Sequence, residues 1–348
     1  MANRQEGRRE VTIEKRGVSE NGRELVSYAL KGAGGMEMEV FNFGCKVNRL
    51  AVPDRSGRLE DVAVSFDPKK VMFGGSVVGR YANRIAHGRF AVDGTEYAIP
   101  TNTAPGGVPC LLHGGPEGFH AQAWTVEPFE RGGDVGLAMS YLSPDGEGGF
   151  PGEVKMSLTY TLTANNVWRL EYAAETDRPT PLNLTHHIYF NLSGERRAPV
   201  TNQIVTLAAS AYTPVGPDMI PTGELADVTG SDFDFRKPTA VGARMDGAYD
   251  HNYCLDSKDG SLAFAAKVED PASGRTLETW TTEPGLQLYT GGSFSEKFSD
   301  QYGRPLYRFC GLALESQKYP DSVNQKGFPD SILRPGQTFR SVTEYRFS

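Results

Sequence analysis

Apolar and polar side chains alternate with a period of two along several stretches of the chain, a pattern that in a strand sets one face on a core and the other toward solvent or a site. Val154, Met156, Leu158, Tyr160 and Leu162 interleave with Lys155, Ser157, Thr159 and Thr161. After the turn pair Asn165-Asn166 the alternation resumes as Trp168, Leu170 and Tyr172 against Arg169 and Glu171, which predicts a hairpin. A second hairpin is expected from residues 47–52 and 59–66 around Pro53-Asp54-Arg55-Ser56-Gly57, and a third from 262–268 and 276–280 around Asp270-Pro271-Ala272-Ser273-Gly274. Helical periodicity is not convincing anywhere. Strands and turn signals recur from about residue 10 to the end with no Pro/Ser-rich linker, charge block or repeat. The expectation is all-β: one large twisted antiparallel β-sandwich with very little helix, residues 1–348 as a single domain and residues 1–10 as a flexible terminus.

Composition agrees with short strands and tight turns, since the 348 residues include 40 Gly and 22 Pro and only 23% are charged. The net charge of −7, with no basic run beyond Arg8-Arg9, lacks the electrostatic footprint of a nucleic-acid binder. No segment approaches the roughly 18 apolar residues of a membrane span, and Met1-Ala2-Asn3-Arg4-Gln5-Glu6 has no apolar leader region, so a soluble cytoplasmic protein is expected. Cys45, Cys110, Cys254 and Cys310 are scattered without a C-x-x-C pair and read as small buried side chains in a reducing compartment. The sequons at Asn183 and Asn191 flank a strand-like run and are expected to carry no glycan.

Chemistry is to be sought where polar residues interrupt apolar strands. In Asn183-Leu184-Thr185-His186-His187-Ile188-Tyr189-Phe190, alternation puts His187 with Asn183, Thr185 and Tyr189, and puts His186 with Leu184, Ile188 and Phe190. His187 reads as a functional group or a hydrogen-bonded core histidine; His186 reads as packing. His113 ends an apolar run just before Gly114-Gly115, as a side chain presented beside a loop that admits a ligand would. Glu315 shares a strand face with Ala313 and Gln317 opposite Leu312 and Leu314, as either a rim charge or a pocket carboxylate. Asp250 in Tyr249-Asp250-His251-Asn252 suits sugar hydroxyls or a plain turn. Asn83 and Arg84 offer donors to a ligand or a loop salt bridge, and Gln287 faces a site or solvent.

Taken in order, these segments strongly resemble the aldose 1-epimerase (galactose mutarotase) family. The resemblance rests on 52–57, Gly79-Arg80-Tyr81-Ala82-Asn83-Arg84-Ile85, Leu112-His113-Gly114-Gly115, Gly149-Phe150-Pro151-Gly152, Asn183-Leu184-Thr185-His186-His187, Tyr249-Asp250-His251-Asn252, 286–291, and Leu314-Glu315-Ser316-Gln317 with Tyr319-Pro320-Asp321-Ser322. It implies a sandwich of the galactose mutarotase type with a sugar cleft on a concave sheet face. It further implies Glu315 as general base, His187 as general acid, and Asn83, Arg84, His113, Tyr189, Asp250 and Gln287 as the sugar-binding shell. His186 departs from the family, which usually has Asn there, and the change is expected to affect packing behind the site.

Opening a cyclic hemiacetal needs one base and one acid on either side of the sugar, so the family chemistry implies no cofactor and no metal. From ordinary values of about 4.3 and 6.5, Glu315 is expected to be ionised and to favour protonated His187. The partner is a small-molecule aldose, with neither nucleic acid nor membrane, and the protein is expected to be a monomer or homodimer. Two other classes compete: a glycoside hydrolase using Glu315 and Asp250 as its carboxylates, and a carbohydrate-binding sandwich without catalysis. A metal hydrolase ranks below these, because no H-x-H or H-E-x-x-H spacing occurs.

Overall fold

Strand pairing throughout the named sheets is antiparallel, and the hairpin at Asn165-Asn166 forms in the expected register, with Leu162 opposite Trp168 and Val154 opposite Thr176. The computed structural model describes residues 10–348 apart from Arg197 and Lys258. The expectation for residues 1–10 therefore lies outside the described residues except at Glu10, which opens the strand Glu10–Val18. Among the described residues helix is confined to six three-residue 3-10 turns, so the all-β expectation holds.

Three sheets dominate. A nine-stranded sheet runs from Thr125–Arg131 through Asp134–Ser143, Val154–Leu162, Val167–Thr176, Phe339–Phe347, Thr276–Thr281, Ala263–Glu269 and Ile204–Leu207 to Thr239–Ala240. A seven-stranded sheet orders Ala226–Asp227, Ala209–Tyr212, Asp250–Leu255, Gly285–Tyr289, Leu312–Gln317, Tyr189–Phe190 and Ala63–Val64. A five-stranded meander spans Glu10 to Asp61. Inward side chains such as Trp168, Leu170, Leu286, Leu288, Leu312, Leu314 and Tyr345 join one buried core between the two larger sheets. Tyr345 also donates from its hydroxyl to the Leu314 carbonyl at 2.9 Å, fixing the Glu315 strand from behind.

Two expected strands are broken, and both breaks serve the site. The run 59–66 does not stay with 47–52: Leu59–Asp61 pairs with Val47–Pro53, while Ala63–Val64 crosses to pair with Tyr189–Phe190. The Asp61 carboxylate makes the crossing by accepting from the Leu50 and Ala63 amides at 2.9 and 3.0 Å, which replaces ladder bonds lost there. The run around His187 likewise divides, Thr185–His186 pairing with Val77–Val78 and Tyr189–Phe190 with Leu312 and Ala313. Asn183 and Asn191 are both buried and bonded, Asn183 to Ala82 and Lys318 and Asn191 to Ala198 and Cys310. That leaves neither amide free for a glycan. All four cysteines are buried.

Candidate active site

The outward faces of the seven-stranded sheet gather the polar residues. Cross-strand register sets Asn252 opposite Gln287 and Gln287 opposite Glu315, with Asp250, Tyr289, Ala313 and Tyr189 in the neighbouring row of the same face. Glu315 is 2% exposed, so it is a pocket carboxylate and not a rim charge. Its Oε1 lies 3.5 Å from His187 Nε2. Its Oε2 has no hydrogen-bond partner among the described residues, which is unusual for a buried oxygen and leaves it for a ligand.

Local backbone devices aim the rest. His113 (φ 54) and Asn83 (φ 60) both sit in the left-handed region at the ends of the paired strands Cys110–Leu112 and Arg84–Ala86. They lock each other: the His113 amide donates to the Asn83 carbonyl at 3.0 Å, and the Asn83 amide donates to His113 Nδ1 at 3.1 Å. Gly114 lets this happen, because with φ +78 a Cβ there would stand 2.0 Å from the Gly79 carbonyl oxygen. Gln287 is buried and not on a solvated face; its Nε2 donates to Asp250 Oδ1 at 2.7 Å.

Asn83, Arg84, His113, His187, Tyr189, Asp250 and Glu315 thus line one cavity of about 330 Å³, with Gln287 beneath Asp250. Every expected site residue is brought together. The pattern did not reveal the apolar walls formed by Phe66, Met72, Phe73, Met219, Phe294 and Phe298. Phe73 packs 4.7 Å from the His113 ring and 5.0 Å from His187. It carried a signal after all, since Phe73-Gly74-Gly75 repeats the form of His113-Gly114-Gly115.

The charge state differs from the expected ion pair. Burial pulls His187 down to about 3 and lifts Glu315 well above the ordinary carboxylate range, with Asp250 adding to the rise and Arg84 opposing it. Burial thus favours a neutral imidazole and disfavours the charged carboxylate beside it. Burial penalises both charged forms, and one contact at 3.5 Å does not repay two desolvations. Burial also drives His113 well below its usual value.

His113, His187 and Glu315 offer donor atoms within 4.8 Å of one another, a grouping of metal-ligand types that local sequence spacing did not foresee. The tautomer of His113 argues against coordination. Its Nδ1 accepts the Asn83 amide, so the neutral ring carries its proton on Nε2 and presents a donor to the cavity. A ligating histidine has the opposite arrangement, donating from its outer nitrogen.

Comparison with known proteins gives a consistent picture. Residues 26–346 match the family model described as aldose 1-epimerase. The chain is 41% identical to galactose mutarotase of Rattus norvegicus over 323 residues, covering 90% of this chain and 91% of that one. It is 33% identical to aldose 1-epimerase of Escherichia coli over 333 residues, with 91% and 94% covered. Among solved structures, an aldose epimerase homologue from C. elegans superposes with a TM-score of 0.82 at 26% identity, covering 98% of this chain and 99% of that one. Galactose 1-epimerase from Lactobacillus acidophilus has the same fold, with a TM-score of 0.84 at 24% identity and 98% and 99% covered.

Proposed function

The chain belongs to the aldose 1-epimerase family and interconverts the α and β anomers of free aldoses, and on that premise we propose that Glu315 and His187 are its acid-base pair. The observation that carries this reading is the buried 3.5 Å approach of His187 Nε2 to Glu315 Oε1 on the cavity floor. Glu315 takes the proton of the anomeric hydroxyl while His187 gives one to the ring oxygen. The bond from C1 to the ring oxygen breaks and a carbonyl forms at C1. Rotation about C1–C2 exposes the other face, and re-closure returns both protons.

A neutral pair and an ion pair hold the same protons. Sugar hydroxyls donating to the carboxylate stabilise its charged form, and one proton passing across the contact makes the reactive arrangement. His113, donating from Nε2, and Asn83, Arg84, Tyr189 and Asp250 hold the hydroxyls, with Gln287 steadying Asp250. Nothing is consumed, so the cycle needs neither cofactor nor metal. We further read the chain as a single domain, a cytoplasmic monomer or homodimer, acting on galactose and glucose. Among the described residues no helix is long and apolar enough to cross a membrane. Polarimetry of freshly dissolved α-galactose and α-glucose, run beside a glycoside-hydrolysis assay, tests the activity. Glycoside cleavage without accelerated mutarotation would overturn it.

A further inference from the structure

Asp321 belongs to the Tyr319-Pro320-Asp321-Ser322 segment, four residues beyond the end of the strand Leu312–Gln317 that carries Glu315. It is 1% exposed and held at φ 57, in the left-handed region that Asp adopts more readily than most residues with a Cβ. Its contacts use that conformation. Asp321 donates its amide to the Arg84 carbonyl at 2.9 Å, and its Oδ1 accepts the Ala86 amide at 3.0 Å. The three-residue strand Arg84–Ala86 pairs on its other edge with Cys110–Leu112. One aspartate thus supplies, by a backbone donor and a side-chain acceptor, the two bonds that a further strand would have made.

The carboxylate is itself held in place. Asn324 Nδ2 donates to Oδ1 at 2.7 Å and Gln325 Nε2 donates to Oδ2 at 3.1 Å. The same Gln325 nitrogen lies 3.3 Å from the Pro221 carbonyl, in the loop whose Met219 lines the cavity. Asp321 therefore connects the segment following Glu315 to the Asn83-Arg84 shelf opposite it, and through Gln325 to the Met219 loop.

We infer that Asp321 is a positioning residue, a clamp that sets the register of the Arg84 strand and so aims Asn83, Arg84 and His113 into the sugar cavity. The clamp is a matter of geometry; its effect on turnover rests on the proposed sugar-binding role of Arg84. The shelf is read directly by the ring nitrogens of His113, because Nδ1 accepts the Asn83 amide. Asp321→Asn keeps one carbonyl acceptor but turns an amide toward the Asn324 or Gln325 donors, so the carboxylate's support is lost with little change in size.

The test is nitrogen-15 NMR of the histidines together with a kinetic cycle, in Asp321→Asn and in Asn324→Ala, which removes one support and keeps the folded chain should the first variant fail to fold. The clamp predicts that the two His113 ring shifts move toward each other as its tautomer loosens, while His186 keeps its wild-type shifts. Asp321→Asn should lower kcat/KM about 10- to 100-fold, and by less in an Arg84→Ala background, because the share of the loss that passes through Arg84 is then already gone while Asn83 and His113 are still misaimed. Unchanged His113 shifts, or an unchanged kcat/KM in folded Asp321→Asn, overturn the clamp. Shifts that move while Arg84→Ala alone costs nothing uphold the clamp and refute the catalytic role of Arg84.

Discussion

The imidazole of His186 meets the indole of Trp168 edge to face with ring centroids 5.1 Å apart, on the core side of the strand step that turns the next residue, His187, to within 3.5 Å of Glu315. Tyr160 closes on the same His186 ring at 5.7 Å. Two adjacent histidines of equal burial therefore hold different positions, one in the core and one in the cavity. His187→Asn should lose about 10² or more of kcat if it is the acid. His186→Asn, which introduces the usual family residue, should retain most activity. Polarimetry decides, and equal losses would show that the roles are wrongly divided.

Burial of His186 also fixes a pH dependence of stability. His120, His186 and His187 are each pulled to about 3 by burial, against about 6.5 in an unfolded chain. Between those values the unfolded state binds more protons, so stability falls as pH falls, by about 1.4 kcal/mol per pH unit for each such histidine. Glu315, raised by burial, works the opposite way and gains stability as pH falls through its folded value. The difference between two proteins removes the shared contributions. In urea melts between about pH 6 and 5, where an unfolded histidine is mostly protonated, His186→Asn should show a slope shallower by about one proton. An unchanged slope would mean that His186 is protonated in the fold.

The division between these histidines was legible in the sequence because period two separates neighbours whatever the strand's partners, and it survived the break of that strand after His186. The Asn165-Asn166 hairpin was legible for the same reason, local alternation joined to a turn pair. The crossing at Val62 was not, since it depends on the Asp61 carboxylate bonding two amides that no local pattern identifies. Charge failed for a related reason: ordinary pKa values describe solvated groups, and only assembly from distant strands removes water from His187 and Glu315. Phe73 and Met219 reach the cavity from loops, where periodicity gives no direction.

Close backbone approach at Gly114 makes a third prediction. A Cβ there would lie 2.0 Å from the Gly79 oxygen, a fixed backbone atom, and φ +78 is strained for any side chain. Gly114→Ala must push the turn aside, and His113 moves with it. kcat/KM should fall by about 10²-fold, the scale expected for a misplacement near 1 Å. Wild-type turnover in a folded Gly114→Ala protein would show that His113 tolerates displacement.

The fixed tautomer of His113 makes a fourth. With Nδ1 accepting the Asn83 amide, Nε2 is a donor and not a metal ligand. Dialysis against EDTA should leave mutarotation unchanged, and added zinc should not raise it. Loss on chelation with recovery on zinc addition would sink the acid-base reading.

The sharpest test falls on Glu315. Glu315→Gln keeps the length of the side chain and one carbonyl acceptor, and the flanking Leu312 and Leu314 are fully buried in the core, so the strand should pack as before. Burial raises the Glu315 carboxyl and so already disfavours charge at this position, and the neutral amide adds no new desolvation cost. Thermal stability should therefore stay close to wild type or exceed it as pH rises, since the variant has no carboxyl to ionise in the cavity. Catalysis should not survive: an amide cannot take the anomeric proton, and kcat should fall by about 10²–10⁴-fold while the affinity for galactose changes little. A rise in KM at nearly constant kcat would instead mark Glu315 as a ground-state contact. Asp250→Asn provides the comparison. Its carboxylate, held by Gln287 at 2.7 Å, is assigned to hydroxyls, and its loss should appear in both parameters because a binding contact also orients the ring. Should Asp250→Asn silence the enzyme while Glu315→Gln turns over near the wild-type rate, the base is Asp250.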